Sequence, residues 1–203
     1  LCQDIRASIL LAGPMLARTG QLELPPPGGD VIGRRRLDTH ILALQSLGAQ
    51  IDFNGSFKMR TSGLRGADIL LDEASVTATE NTLMAAVLAE GTTVIRNAAS
   101  EPHVQNLCHM LSSMGAQISG IGTNCLIVEG VERLSGGECR VEADYLEAIS
   151  YVGAAVVTGG QVRIRQAYPQ YLHMAALVIR KLGVEWLVDG KDLVVPRGQA
   201  LVI

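Results

Sequence analysis

Leu47-Gly48-Ala49-Gln50, Met114-Gly115-Ala116-Gln117 and Leu182-Gly183-Val184-Glu185 are three versions of one phrase. Their glycines stand 67 and 68 residues apart, and a further glycine follows seven residues after each, at Gly55, Gly122 and Gly190. Upstream, Thr19-Gly20-Gln21, Glu90-Gly91-Thr92 and Gly159-Gly160-Gln161 form another matched set, spaced by 71 and 69 residues. Two glycine registers that recur three times mark a repeated supersecondary unit.

Reading outward from the phrase, each unit has the same order. A helix (residues 4–18, 79–89 and 146–157) carries small and aliphatic residues on most faces, the pattern of a helix buried on several sides. Glycine at its exit supplies the left-handed stop, and a β-branched strand follows at 92–95 and 162–164. A more amphipathic helix (37–47, 102–114 and 168–182) runs into the shared phrase. Asn54-Gly55 and Asp189-Gly190 then predict hairpins with tight primed turns. A closing strand is expected at 67–71, 138–141 and 200–203. The pattern is βαβαββ, an α/β fold of three modules of about 68 residues.

The composition bounds what such a fold can do. The 203 residues are 48% apolar and 18% charged, with two Phe and one Trp, so the core is aliphatic and disorder is excluded. A net charge of -3 speaks against a nucleic-acid or membrane-surface binder, which needs a basic stripe. Cys2, Cys108, Cys125 and Cys139 have no zinc-like spacing and read as reduced thiols; Cys108, His103 and His109 lack a convincing further ligand, and no metal is expected. No apolar run is long enough to span a bilayer and no signal pattern opens the chain, so a cytoplasmic protein is expected. The start at Leu1, with a helix pattern from residue 4 and no cap before it, reads as an excerpt from a longer protein.

The modules differ at one place. From the first glycine to the shared phrase takes 28 residues in the first unit but 24 and 23 in the others. The insertion falls in Pro25-Pro26-Pro27-Gly28-Gly29-Asp30-Val31-Ile32-Gly33-Arg34-Arg35-Arg36, and added length at one repeat maps to a loop where function concentrates. Its paired glycines would let backbone N–H groups approach a ligand, and its arginines would reach an anion. The alternative is a solvated basic turn in which Asp30 bonds its own loop. Thr77 and Glu80 have capping-box spacing; that helix start is either an ordinary cap or an anion site built from free N–H groups. Arg6 is a phosphate contact or a surface charge, and His40 a ligand contact or a half-buried histidine.

Arg6-Ala7-Ser8-Ile9, Gly13-Pro14-Met15-Leu16-Ala17-Arg18, the Pro27-Gly28-Gly29-Asp30-Val31-Ile32-Gly33 loop and Ser75-Val76-Thr77-Ala78-Thr79-Glu80-Asn81 together closely resemble the UDP-N-acetylglucosamine enolpyruvyl transferase family. Ala89-Glu90-Gly91-Thr92-Thr93 and Asn97-Ala98-Ala99-Ser100-Glu101-Pro102 extend the resemblance, which covers essentially the whole chain in order. It implies two domains of three βαβαββ repeats, each packed as an inside-out α/β barrel. Residues 1–143 would be two repeats of the catalytic, loop-bearing domain and 144–203 the first repeat of the other. The implied reaction transfers enolpyruvate from phosphoenolpyruvate to the 3'-hydroxyl of UDP-N-acetylglucosamine and releases phosphate, without a cofactor, as the first committed step of peptidoglycan synthesis.

Carried over by motif, Asp30 takes the loop position usually held by the cysteine proton donor that fosfomycin alkylates. Arg35 matches the phosphoenolpyruvate contact and Arg6 a residue near the substrate phosphates. Arg36, Leu37, Asp38 and His40 match the uridine side, and Ser75, Val76 and Thr77 the diphosphate-binding helix start. Aspartate with a reference pKa of about 3.9 must be held protonated at a cost of about 4 kcal/mol to act as an acid at pH 7. Water exclusion around an anionic substrate would supply that shift. Glu73 stands where the family commonly has Lys, Arg36 where it has Pro, Thr77 where it has Gly and Tyr145 where Arg is frequent. The family's Lys-Asn pair would precede Leu1 and its second-domain Asp would follow Ile203, so this segment alone is expected not to turn over. The competing readings are a non-catalytic scaffold relative and another enolpyruvyl transferase such as the shikimate-pathway enzyme, against which the Pro-Gly-Gly-Asp loop speaks.

Overall fold

The computed structural model describes residues 1–29 and 36–202. The chain divides into two units, Leu1–Arg140 and Val141–Ile203, each with its own aliphatic core.

In the first unit a 3-10 segment, Arg6–Leu11, leads into α1 (Ala12–Thr19). One continuous helix over 4–18 is therefore corrected, and Pro14 is the reason. Proline has no N–H to donate back one turn, so it is accommodated in the first turn of a helix rather than in its interior. Strand β1 (Gln21–Leu24) pairs antiparallel with β3 (Phe57–Arg60), which pairs with β2 (Gln50–Phe53). Between β1 and β2 lies α2 (Asp38–Ser46). A four-stranded sheet in the order β4-β5-β7-β6 follows, built from β4 (Asp68–Leu70), β5 (Thr92–Arg96), β6 (Gln117–Ser119) and β7 (Cys125–Glu129). Its β4–β5 pair is parallel and the others antiparallel. Helix α3 (Val76–Ala86) crosses from β4 to β5, and α4 (Pro102–Ser113) from β5 to β6.

The second unit holds α5 (Tyr145–Val157) and an antiparallel sheet in the order β8-β10-β9, from β8 (Val162–Ile164), β9 (Leu187–Asp189) and β10 (Asp192–Val195). Asp144 caps α5, its carboxylate accepting from the N–H groups of Leu146 and Glu147 at 2.8 and 3.2 Å. The helix expected over 168–182 is broken into 3-10 turns flanking α6 (His173–Ile179). Tyr168 is left-handed at φ 50° and Pro169 follows it, so the helix cannot start there in one piece. Across the sheet, Arg163 bridges Asp189 and Asp192 at 2.9 and 3.0 Å.

The shared phrase sits at one kind of junction in all three places, a helical segment giving way to extended chain. Gly48, Gly115 and Gly183 have φ of 94°, 101° and 77°, the left-handed conformation that ends a helix and that side chains resist. Two expectations fail. The 138–141 and 200–202 stretches form no strand: a strand exists only by its ladder, and β4 alone among the closing segments finds a partner, β5. The Asn54-Gly55 turn is not the primed two-residue type. Phe53 pairs with Phe57 across three residues, Asn54 lacks positive φ and Gly55 alone carries it, at 75°.

Candidate functional site

Helix α3 organises the candidate site. Its start is set by Ser75, whose hydroxyl accepts from the Ala78 N–H at 3.3 Å while its carbonyl receives the Thr79 N–H at 2.9 Å. The capping box expected from Thr77 and Glu80 is corrected. The helix begins earlier, and the Thr77 hydroxyl faces Nε2 of His40 at 3.2 Å. Thr79 is drawn inward too, its hydroxyl donating to the Ser75 carbonyl and accepting from the Ala99 N–H.

His40 comes from the first turn of α2 and is buried. Its Nδ1 lies 3.1 Å from Nδ2 of Asn81, a fully buried side chain of α3. The Asn81 amide also accepts from the Gly13 N–H at 2.6 Å and donates to the Ile9 carbonyl at 3.1 Å. The N–H groups of a first turn lack helical partners, and Asn81 satisfies one of α1's. A Cβ on Gly13 would run into the Asn81 backbone oxygen, so glycine is what lets α1 lie this close to α3. Burial, with Arg6 adding its positive field, pushes the His40 pKa down to about 4.

Arg6 thus lies within electrostatic reach of His40, and its guanidinium donates to the Arg36 carbonyl at 3.1 Å. Arg36 turns its own guanidinium to Asp38, with Nε donating to Oδ2 at 2.7 Å. That bond raises the Arg36 pKa, and Asp72 and Glu73 act on it in the same sense. Asp72 in turn accepts from the Thr39 hydroxyl of α2. Leu37 packs partly buried against the core, and Val76 is the first residue of α3. Arg6, Arg36, Asp38, His40 and Thr77 are therefore linked in space although they come from separate segments, with Ser75 and Val76 adjoining at the helix start.

Asp30, Arg34 and Arg35 lie outside the described residues. The two glycines that precede them lie tight against neighbouring backbone. A Cβ on Gly28 would overlap the Gln3 carbonyl, and Gly29, at φ 89°, sits against Arg6. Their close approach is to the chain itself, and it seats the start of the loop beside Arg6. Elsewhere, Cys108 is fully buried in α4 with its thiol pushed up to about 11 by burial. Among the described residues no group of three His, Cys, Asp or Glu side chains is placed to hold a metal.

Asn81 and Asp72 had not been read as site residues. Asn81 had a signal, since a polar side chain of modest helix propensity among Ala, Thr, Leu and Met must find partners if it is buried. Asp72 had none, because its partner Thr39 stands 33 positions away.

An α/β chain with a basic and polar cluster at a helix start defines no family by itself, and here the sequence comparison decides. The chain belongs to the EPSP synthase (3-phosphoshikimate 1-carboxyvinyltransferase) family, whose profile matches residues 1–201. Within it, the chain is 56% identical over its full length to the UDP-N-acetylglucosamine 1-carboxyvinyltransferase of Treponema denticola, covering 48% of that protein. It is 53% identical over 203 residues to the enzyme of the same name from Bradyrhizobium diazoefficiens, covering 47% of it. The chain thus spans about half the length of the curated relatives it matches. In fold it resembles the crystal structure of the enolpyruvyl transferase NikO from Streptomyces tendae, with a TM-score of 0.80 and 18% identity over 96% of this chain and 48% of that one.

Proposed function

We propose that the protein transfers enolpyruvate from phosphoenolpyruvate to the 3'-hydroxyl of UDP-N-acetylglucosamine with release of phosphate, in the cytoplasm. The observation that carries this reading is the convergence of Arg6, His40 and Thr77 at the start of α3, beside the Pro-Gly-Gly loop. The two relatives described above bear the name of that activity over the whole aligned length. On this reading the three phrases mark βαβαββ repeats of an inside-out α/β barrel. Residues 1–143 belong to the loop-bearing catalytic domain and 144–203 open the second.

The chemistry is an addition followed by an elimination. The 3'-hydroxyl loses its proton to solvent as its oxygen bonds to C2 of phosphoenolpyruvate, and the C2=C3 π pair takes up a proton at C3, giving a tetrahedral ketal. Loss of a C3 proton then restores the double bond as the C2–O bond to phosphate breaks. Asp30 supplies the C3 proton, and Arg35 holds phosphoenolpyruvate. Arg6, Ser75, Val76 and Thr77 hold the diphosphate and Arg36, Leu37 and Asp38 the uridine side, with His40 buried behind them and its two ring nitrogens on Asn81 and Thr77. Helix N–H groups and the positive helix end favour a phosphate there. His40 serves as a neutral hydrogen-bonding group, since its depressed pKa leaves it uncharged at pH 7.

The acid groups around Arg36 favour a second reading, a relative that retains the fold without turnover, because Asp38, Asp72 and Glu73 offset the cation. One assay separates the two when it is run on the full-length gene product, since this chain spans about half the length of its relatives. Phosphate release from phosphoenolpyruvate that requires UDP-N-acetylglucosamine, persists in fosfomycin and falls at least tenfold in Asp30→Asn supports the transferase with Asp30 as acid. No nucleotide-dependent release overturns the transferase reading; unchanged turnover in Asp30→Asn overturns the role of Asp30.

A further inference from the structure

The hydrogen bonds around Asn81 have only one consistent direction. The Gly13 N–H can only donate and the Ile9 carbonyl can only accept, so Asn81 must present its oxygen to Gly13 and its NH2 to Ile9. A flipped amide would set N–H against N–H at 2.6 Å and oxygen against oxygen at 3.1 Å. The second hydrogen of that NH2 points at His40 Nδ1, 3.1 Å away, which must therefore accept. A neutral imidazole that accepts at Nδ1 carries its proton on Nε2. That proton is directed to the Thr77 hydroxyl oxygen at 3.2 Å. Among the described residues this ring is the one partner shown for that hydroxyl, and Thr77 is only partly buried. With its oxygen occupied as an acceptor, the hydroxyl keeps its own proton for an acceptor outside the protein.

We propose that Asn81 is a positioning residue that fixes the proton of His40 on Nε2 and so makes Thr77 a hydrogen-bond donor to the nucleotide. The proposal deepens the site reading above and rests on it for the identity of the ligand, a nucleoside diphosphate with oxygen acceptors. The polarity runs from two backbone groups, through Asn81 and His40, to Thr77. It gives preference to an acceptor over a donor at the start of α3, as a phosphate oxygen requires. It also removes His40 from acid–base work, because a proton added at Nδ1 would face the Asn81 NH2.

The test has a part that needs no ligand. Long-range nitrogen–proton NMR correlations of the 15N-labelled protein, with the His40 signals assigned by their loss in His40→Gln, should show a protonated Nε2 and a bare Nδ1. A carboxylate at 81 can only accept, so Asn81→Asp should move the proton to Nδ1. A proton on Nδ1 in the unaltered protein, or no change in Asn81→Asp, overturns the proposal. A proton on Nδ1 in the unaltered-protein spectrum overturns the proposal even if Asn81→Asp fails to fold.

The second part uses UDP-N-acetylglucosamine as the probe in calorimetric titration of the full-length gene product. Thr77→Val and Asn81→Asp should each bind about tenfold more weakly, while Thr77→Ser stays within about twofold. The expected tautomer combined with unchanged affinity in Thr77→Val overturns the donor role of Thr77. Failure of the unaltered protein to bind the nucleotide overturns the site reading instead and leaves the tautomer assignment standing on its spectra.

Discussion

Helices α3 and α5 occupy corresponding places ahead of a glycine stop and a β-branched strand, and both are rich in small and aliphatic residues. Their surroundings differ. No residue of α3 is exposed, whereas α5 buries only Ala148, Val152 and Ala155 and leaves Val157 80% and Leu146 60% accessible. In the first unit α3 packs against α1, α2, α4 and strands of the four-stranded sheet; in the second, α5 meets β8, β10 and one 3-10 turn. An all-round apolar helix is a statement of what it can bury, and burial itself depends on what surrounds it. The full enclosure of α3 is also what allows it to hold Thr79, Asn81 and Thr82 as buried polar groups, each with a partner.

The widest separation between the two helices should appear in stability. Leu83→Ala in α3 removes a fully buried side chain and should cost about 3 kcal/mol. Val157→Ala in α5 should change stability by less than about 0.5 kcal/mol. Denaturant midpoints at equal m-value measure both, and a large cost at Val157 would break the comparison by showing that this face of α5 is covered.

Acid sensitivity should come next. The unfolded chain protonates His40 near the ordinary value of about 6.5, whereas the folded site resists protonation down to about 4. Between those values the unfolded state binds more protons, so stability contributed by the neutral ring is complete above pH 6.5 and is lost as pH falls toward 4. The loss amounts to about 3 kcal/mol at most. Chemical denaturation at pH 7 and pH 4.5 should show this decline, and His40→Gln should reduce the pH dependence. An equal decline in that variant would assign the acid sensitivity to other groups.

The helix starts provide the smallest contrast. Ser75 accepts from one N–H and Asp144 from two, the latter with a carboxylate that the helix dipole favours. Asp144→Ala should cost about 1 kcal/mol and Ser75→Ala somewhat less, as judged from thermal midpoints of the two variants. The order is opposite to the burial contrast. A larger loss at Ser75 would mean that α3 owes more to its cap than to its packing.

Much of the architecture was legible because glycine and proline act locally. Gly20 and Gly91 adopt the left-handed conformation, as their sequence register implied, whereas in the third unit Gly159 adopts it in place of the register glycine, Gly160. Boundaries failed where a neighbour outside the reading window decided them. Thr77 has the spacing of a cap, yet Ser75 takes that task and His40, 37 positions away, takes the Thr77 hydroxyl. The 138–141 stretch has strand composition but no partner strand. In the site, Arg6, His40, Ser75 and Thr77 could be named from motif, but their contacts could not. Asp30 and Arg35 lie outside the described residues, and the roles proposed for them come from motif alone.

The sequence by itself determined the α/β class, the family and the phrase glycines at which helical segments give way to extended chain. Each follows from short-range stereochemistry or from motif. The tertiary structure alone decided that Asn81 joins α1, α2 and α3, that His40 is buried and neutral, and that the loop glycines pack on residues 3 and 6. Hydrogen-bond direction and burial depend on groups brought together from distant positions, and no local pattern records which groups will meet.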